Sequence, residues 1–233
     1  MSSLCLSLRE IRMVLERLVQ AAGVPDGLLP SVRDAAVYAA ILPVSGFDGI
    51  ERQIAHLKAS VPHPLVLDDQ GTLPVIDGSG QHAWLVADAV LDVAIAQFRL
   101  TGQGEVKVTG VAQSAELRAI QGQAERHALA ASVEFEGAGA RVRIAPRPAA
   151  TPTRLDHVRR NGFVVAAATW WPLYHASHAA LAPDSFESRR HAGTVRVEAD
   201  GRIVGRNDED ETDLAMLAAD PARLRADPVS STS

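Results

Sequence analysis

Residues 83 to 100 form a long, mostly apolar segment that strongly limits what the chain can fold into. The segment has helical spacing and ends just before Gly102, a residue typical of helix C-termini. Because apolar side chains lie on nearly all sides of such a helix, it must be buried inside the protein. No apolar run in the chain reaches the roughly 20 residues that a membrane-spanning helix needs. The sequence therefore predicts a globular protein with this helix inside it.

Three segments with helical spacing precede the apolar helix, at residues 7–22, 28–42 (or from residue 25) and 46–59. Ser7 and Glu10 have the spacing of a reciprocal N-terminal cap, and Gly23 ends the first segment. Short connections join the three helices. We predict an N-terminal helical unit over residues 1–62.

The hydrophobic period then changes to that of strands. Residues 64–67 and 73–76 are short apolar runs around a turn, which predicts a hairpin. A strand at 105–109, a helix at 115–128 and strands at 130–135 and 140–145 follow, then a helix at 153–160, a strand at 162–167 and a hairpin within 194–205. The predicted fold is α/β (or α+β), with the helical unit packed on a mixed β-sheet with flanking helices. The mixed-sheet region spans residues 63–225, with a sub-boundary at 146–152 and a disordered tail at 226–233.

Composition excludes several classes of protein. The chain is 47% hydrophobic and 22% charged, as in ordinary soluble domains, and its net charge of −5 argues against a nucleic-acid partner. Its one cysteine, Cys5, permits neither an intramolecular disulfide nor a thiolate metal cluster. The N-terminus has no signal-peptide pattern. We expect a cytoplasmic protein with no membrane partner, no cofactor and no bound metal.

The N-terminal half resembles the malate/L-lactate dehydrogenase family, the non-Rossmann ketoacid reductases. The similar text begins SLREIRMVLERLVQAAGVPDGLLPSVRDAAVYAA, continues with SGFDGIERQIAHL and PVIDGSGQHAWLVADAVLDVAIAQFRLTGQGEVKV, and extends to Phe135. The histidines that this resemblance implies are absent, because residues 45–50 read SGFDGI and residues 111–114 read VAQS. Reduction of a ketone needs a proton donor near the carbonyl. The resemblance therefore implies a scaffold without its usual acid.

The C-terminal part is similar to the bacterial domain of unknown function 3726 family. The similarity lies in the string AALAPDSFESRRHAG and the acidic run that follows it. The matching positions are Ala179, Ala180, Pro183, Ser185, Ser188, Arg189, Ala192, Gly193 and Asp208 or Asp210. In this chain a whole hairpin separates the Ala-Gly turn from the acidic run. This resemblance covers the full length but implies no activity.

Residues 175–191 hold the densest polar chemistry of the chain, and Trp170, Trp171 and Tyr174 precede them. On a helix, His175 and His178 share one face, one turn after Trp171. The two histidines have three interpretations: they border the core beside the tryptophans, they bind zinc with Glu187 or His191 as a third ligand, or they transfer protons.

A second group of polar residues follows in the same segment. Arg189 and Arg190 can bind a carboxylate or phosphate, and Ser185 and Ser188 can add hydroxyl donors. The alternative is structural: Asp184 or Ser185 caps a short helix, and Arg189 pairs with Glu187 or with the acidic run at 207–211. The candidate ligand-binding residues are therefore Trp171, His175, His178, Ser185, Ser188, Arg189 and Arg190.

The sequence leaves open whether the chain is an enzyme. The first hypothesis is a non-catalytic or accessory protein that binds a small anionic metabolite of the amino- or keto-acid class. The second is a divergent oxidoreductase on the reductase scaffold, with His175 or His178 as the acid. The third is self-association as a homo-oligomer, which the apolar helix at 83–100 supports.

Overall fold

The computed structural model describes residues 2–148 and 151–181, together with the backbone of residues 196–197 and 203–204. By its internal contacts the chain divides into two compact units, Met1–Leu181 and Ala182–Ser233. The predicted boundaries at 62/63 and within 146–152 stay predictions. The predicted tail at 226–233 lies outside the described residues.

The first unit combines helices with short strands. Its helices are α1 (Leu8–Ala21), α2 (Leu29–Ile41), α3 (Gly46–Lys58), α4 (Ala83–Thr101), α5 (Ala119–Glu125), α6 (Arg154–Asn161) and α7 (Ala167–Ser177). Its strands are β1 (Ser3–Leu6), β2 (Val66–Asp68), β3 (Val75–Asp77), β4 (Gly104–Thr109), β5 (Leu129–Glu136), β6 (Gly139–Pro146) and β7 (Phe163–Ala166). Short 3-10 helices lie at Ser114–Arg118 and His178–Ala180. Among the described residues, no helix is both long enough and apolar enough to cross a membrane.

The main sheet is mixed, in the order β2-β3-β4-β6-β5. β3 and β4 are parallel, whereas the other neighbouring pairs are antiparallel. Register places Val106 opposite Val142, and both are buried. The predicted mixed α/β architecture is confirmed.

Helix α4 lies against β4 and β6, and α5 lies against β5. Helix α2 packs on both α4 and α5, and α1 packs on α2, so the N-terminal helices form a second layer. The predicted burial of α4 is confirmed, since Trp84, Val86 and Val90 are fully buried. The contact with the sheet is so close that a Cβ at Gly104 would collide with the Ala94 carbonyl oxygen and the Ile144 side chain.

The sheet face opposite α4 carries charged side chains. Arg141 lies opposite Lys107 on β4 and pairs with Glu105 and Glu136 at 2.6 and 2.7 Å. Arg143 continues the ladder by pairing with Glu105 and with Glu134. Alternation of apolar and charged residues along β4 and β6 thus separates a buried face from a partly exposed one.

Two local details differ from the sequence-based expectation. The helix predicted at 115–128 is a 3-10 turn followed by α5, which ends at Glu125, and Ala128 has a φ of 56° at the turn into β5. Strand β1 was not predicted, and it pairs antiparallel with β7 in a separate two-stranded sheet.

The described backbone of the second unit consists of two short antiparallel strands, β8 (Arg196–Val197) and β9 (Ile203–Val204). Arg196 lies opposite Val204. This pairing agrees with the hairpin predicted within residues 194–205.

Candidate functional site

A cleft of about 470 Å³ opens in the first unit between the end of α2, the start of α3, helix α6 and the β7–α7 segment. Its volume lies within the range of roughly 300–1,000 Å³ that is typical of small-molecule sites. Most of the lining is apolar. The larger apolar residues are Ile41, Leu42, Phe47, Val158, Phe163 and Val165.

Local sequence features position the walls of the cleft. Thr153 and Asp156 form a reciprocal cap at the start of α6, and Gly162, with a φ of 69°, turns the chain from α6 into β7. The Phe47 ring of α3 contacts the rings of Phe163 and Trp170 at centroid distances of 5.5 and 6.0 Å. These contacts fix the start of α3 against β7 and α7.

Helix α6 brings two nitrogen-bearing side chains to the cleft, Arg154 and His157. The Arg154 backbone N–H donates to Glu125 at 2.7 Å, but its guanidinium pairs with no carboxylate of the described residues. The Asn161 amide donates to the His157 carbonyl oxygen at 3.1 Å and lies 3.3 Å from His157 Nδ1. In the tautomer in which Nδ1 accepts from this amide, Nε2 carries the ring proton and is available as a donor.

Helix α3 brings the opposite charge to the same cleft. Asp48 lies in the first turn of α3, and its Oδ1 accepts a hydrogen bond from Thr169 Oγ1 at 2.7 Å. Both residues line the cleft. Ser45, at the N-cap position, does not cap the helix with its side chain, because its hydroxyl donates to Glu116 instead.

Glu116 is the centre of a buried polar network beneath the start of α3. Its carboxylate accepts from the Ser45 hydroxyl, from Gln53 Nε2 at 3.1 Å and from Trp84 Nε1 at 3.1 Å. Burial raises the pKa of the Glu116 carboxyl, although the Ser45 and Trp84 donors and the nearby Arg52 oppose that shift. The network is a structural support, since Glu116 is 3% exposed and does not line the cleft.

His82 extends this network to the start of α4. Its Nδ1 accepts from the Trp84 backbone N–H at 3.1 Å, so the ring proton is on Nε2, which donates to Gln53 Oε1 at 3.1 Å. Burial, with a smaller effect of His56, lowers the pKa of His82 to about 4. His82 is therefore neutral near pH 7.

The structure brings three of the predicted site residues together on one exposed surface of α7 and the following 3-10 helix. The Trp171 ring stacks on His175 at a centroid distance of 6.1 Å, and the His175 and His178 rings are 6.0 Å apart. Trp171 is 46% exposed, and both histidines are exposed as well. None of the three lines the cleft.

The other predicted site residues, Ser185, Ser188, Arg189 and Arg190, lie outside the described residues. Glu187 and His191, the third ligands considered for zinc, do so too. Within the described part of the chain, no group of three His, Cys, Asp or Glu side chains could hold a metal ion.

Sequence reasoning did not identify the cleft residues as a site. A weak signal was present, because Arg154 and His157 are three positions apart on a predicted helix and therefore share a face. Asp48 stands in the segment 45–50 that was noted only for its missing histidines. Nothing in the sequence indicates that these two segments meet.

No protein-family model and no curated protein sequence matches this chain. Among solved structures it is similar to a malate dehydrogenase from Pyrococcus horikoshii OT3, with 16% identity, a TM-score of 0.48 and coverage of 64% of this chain and 49% of that one. It is also similar to a malate dehydrogenase from Entamoeba histolytica, with 13% identity, a TM-score of 0.43 and coverage of 57% and 39%. The chain thus spans half or less of the length of these structures, and similarity at this level assigns no family.

Proposed function

We propose that this protein binds a small metabolite with an anionic group, of the amino- or keto-acid class, in the cleft between α3 and α6. The observation that carries the proposal is Arg154, an exposed residue that lines the cleft and whose guanidinium has no carboxylate partner among the described residues. An arginine beside an apolar wall can bind a carboxylate through two parallel hydrogen bonds. His157 Nε2 adds a donor on the same helix face.

Several other arginines of the chain have hydrogen-bond or ion-pair partners for their guanidinium groups. Arg141 and Arg143 pair with glutamates on the sheet, and Arg147 donates to the carbonyl oxygens of Thr151 and Pro152 at 2.7 Å. Arg154 makes no such side-chain contact within the described residues. Its charge is therefore available to a ligand.

The polar segment at residues 171–190 is a second proposed location for the same function. Trp171, His175 and His178 supply an exposed aromatic surface, and Arg189 and Arg190 follow in the chain. This location stays a proposal, and a separate variant tests it. Arg189→Ala tests it independently of the cleft.

Ligand titration tests the proposal. We expect amino acids or 2-oxo acids to raise the melting temperature, and Arg154→Gln to weaken their binding by about tenfold or more, the effect of losing about 1.4 kcal/mol. Calorimetry gives the dissociation constants. The backbone bond from Arg154 to Glu125 does not depend on the side chain, so the variant should fold.

Arg160→Gln is the matched control, because Arg160 is exposed on α6 and does not line the cleft. The cleft location is wrong if Arg154→Gln and Arg160→Gln bind equally well. If Arg189→Ala alone abolishes binding, the ligand binds in the C-terminal segment. If no ligand binds the wild-type protein, the function itself is wrong.

The two other hypotheses stay predictions. A divergent oxidoreductase would bind a nicotinamide cofactor, which quenching of protein fluorescence detects. Self-association would be detected by light scattering.

A further inference from the structure

The cleft presents two unlike charges from two different elements. Arg154 comes from α6 and Asp48 from α3, and the two make no ion pair with each other. The Asp48 carboxylate has one hydrogen bond, from Thr169, and no described Lys, Arg or His pairs with it. Arg154 can therefore still bind an anionic group of a ligand, and Asp48 a cationic group.

A ligand that carried only negative charge would be repelled by Asp48 while it was attracted to Arg154. Like charges that lie close together repel each other and opposite charges attract, and solvent weakens both effects because Asp48 and Arg154 are exposed. A molecule with a carboxylate and an ammonium group can satisfy both residues at once. Such a ligand also needs an apolar side chain, because most of the remaining lining is apolar and includes Ile41, Phe47 and Val165.

We infer that the cleft selects an α-amino acid with an apolar side chain, whose carboxylate binds Arg154 and whose ammonium group binds Asp48. This inference rests on the proposed function and narrows its ligand class. Thr169 positions the Asp48 carboxylate, since its hydroxyl occupies Oδ1 and leaves Oδ2 for the ammonium group. Asp48 is thus the residue that distinguishes amino acids from the corresponding 2-oxo acids.

Three ligands that share an isobutyl group test the inference by calorimetry at neutral pH. L-Leucine has both charges, 4-methyl-2-oxopentanoate has only the carboxylate, and 3-methylbutylamine has only the ammonium group. We expect leucine to bind the full-length protein at least about tenfold more tightly than either analogue.

Asp48→Asn should remove most of that preference. Asparagine retains an oxygen that can accept from Thr169, so the variant changes the charge and little else. We expect leucine to bind about tenfold more weakly to this variant, with the oxo acid bound as well as before or better. Glu51→Gln is the matched control, because Glu51 is an exposed carboxylate on the same helix outside the cleft.

The outcomes separate this inference from the proposed function. Equal binding of leucine and the oxo acid, both sensitive to Arg154→Gln, would overturn the amino-acid preference and leave the anion site intact. Leucine binding that Asp48→Asn does not change would overturn it as well. If none of the three ligands binds while another anion does so through Arg154, the inference fails alone; if no anion binds, both fail.

Discussion

At the scale of single residues, the most consequential group is the buried network around Glu116. It joins Gln53 of α3, Trp84 of α4 and the 3-10 turn that carries Glu116 itself. A buried carboxylate is tolerable only when its lone pairs are occupied, and this one accepts three hydrogen bonds. Because Ser45 belongs to the same network, the start of α3 is held in place, and with it the Asp48 side of the cleft.

Sequence alone could not have identified this network. His82 and Gln53 are 29 positions apart, and Trp84 and Glu116 are 32 apart. Polar residues inside apolar segments indicate that some partner exists, but not which one. The exposed cluster of Trp171, His175 and His178 was predictable for the opposite reason, since its members are close in the chain, on α7 and the 3-10 helix that directly follows it.

The first prediction concerns His82 and the dependence of stability on pH. The pKa of His82 is about 4 in the folded protein and has its ordinary value of 6.5 in the unfolded chain, so only the unfolded chain takes up the proton between these values. His82 therefore contributes stability that is present above pH 6.5 and is lost as the pH falls toward 4. We expect it to account for a loss of about 3 kcal/mol in the free energy of unfolding over that range.

Urea denaturation at the two ends of this range measures the loss. In His82→Asn the asparagine oxygen can still cap α4, but residue 82 no longer titrates. The free energy of unfolding should therefore depend much less on pH. The exposed His63 provides the control, and His63→Asn should keep the wild-type dependence. Equal pH dependence in His82→Asn and the wild-type protein would contradict the prediction.

At the scale of elements, local signals were sufficient where partners are close in the chain. The cap of α1 is as predicted, with the Glu10 backbone N–H donating to the Ser7 hydroxyl oxygen at 3.2 Å and the Ser7 N–H donating to the Glu10 carboxylate at 2.8 Å. Strand β1 was not predictable in this way. It is four residues long, and its Cys5 lies opposite Val164, whose position in space no local pattern reveals.

The second prediction concerns the contact between α2 and α5 at Gly122. By helix propensity alone, Gly122→Ala would stabilise α5 by up to about 1 kcal/mol. The structure predicts the opposite sign, because the new Cβ would overlap the Tyr38 ring, which is 1% exposed and cannot move away. We expect a destabilisation of about 1–3 kcal/mol, measured as a lower midpoint in urea.

Gly27→Ala is the control for this substitution, since a Cβ at Gly27 meets nothing within 4 Å. That variant should change stability by no more than about 0.5 kcal/mol. A stabilised Gly122→Ala protein would show that α2 and α5 are less closely packed than described.

At the scale of the whole molecule, the fold class was predictable and the cleft was not. The hydrophobic spacing changes from helical to strand periodicity after residue 62, which is visible in the sequence itself. The mixed sheet agrees with this change. The cleft combines Asp48, Arg154 and Thr169, which come from three elements, and Asp48 is 121 positions from Thr169 in the sequence. Periodicity assigns each residue to an element and a face, but it contains no distances between elements.

The burial of α4 in the structure weakens the reason for which its sequence suggested self-association. The apolar length of α4 suggested a surface for a second copy, yet most of its apolar residues are buried within one chain by the sheet and by α2. Leu91 is 1% exposed, whereas Leu100 on the same helix is 81% exposed. The buried part of α4 therefore cannot form a contact between copies, and self-association stays a prediction.

The last prediction distinguishes packing of α4 within one chain from contact of α4 with a second copy. Leu91→Ala removes buried methyl groups from the interior, so we expect a loss of about 2–5 kcal/mol in the free energy of unfolding. Leu100→Ala, the matched control, should change it by at most about 0.5 kcal/mol. Because the stabilising contacts of Leu91 lie within one chain, the difference between the two variants should not depend on protein concentration. If the cost of Leu91→Ala decreased on dilution, and light scattering showed a loss of mass, α4 would be holding copies together.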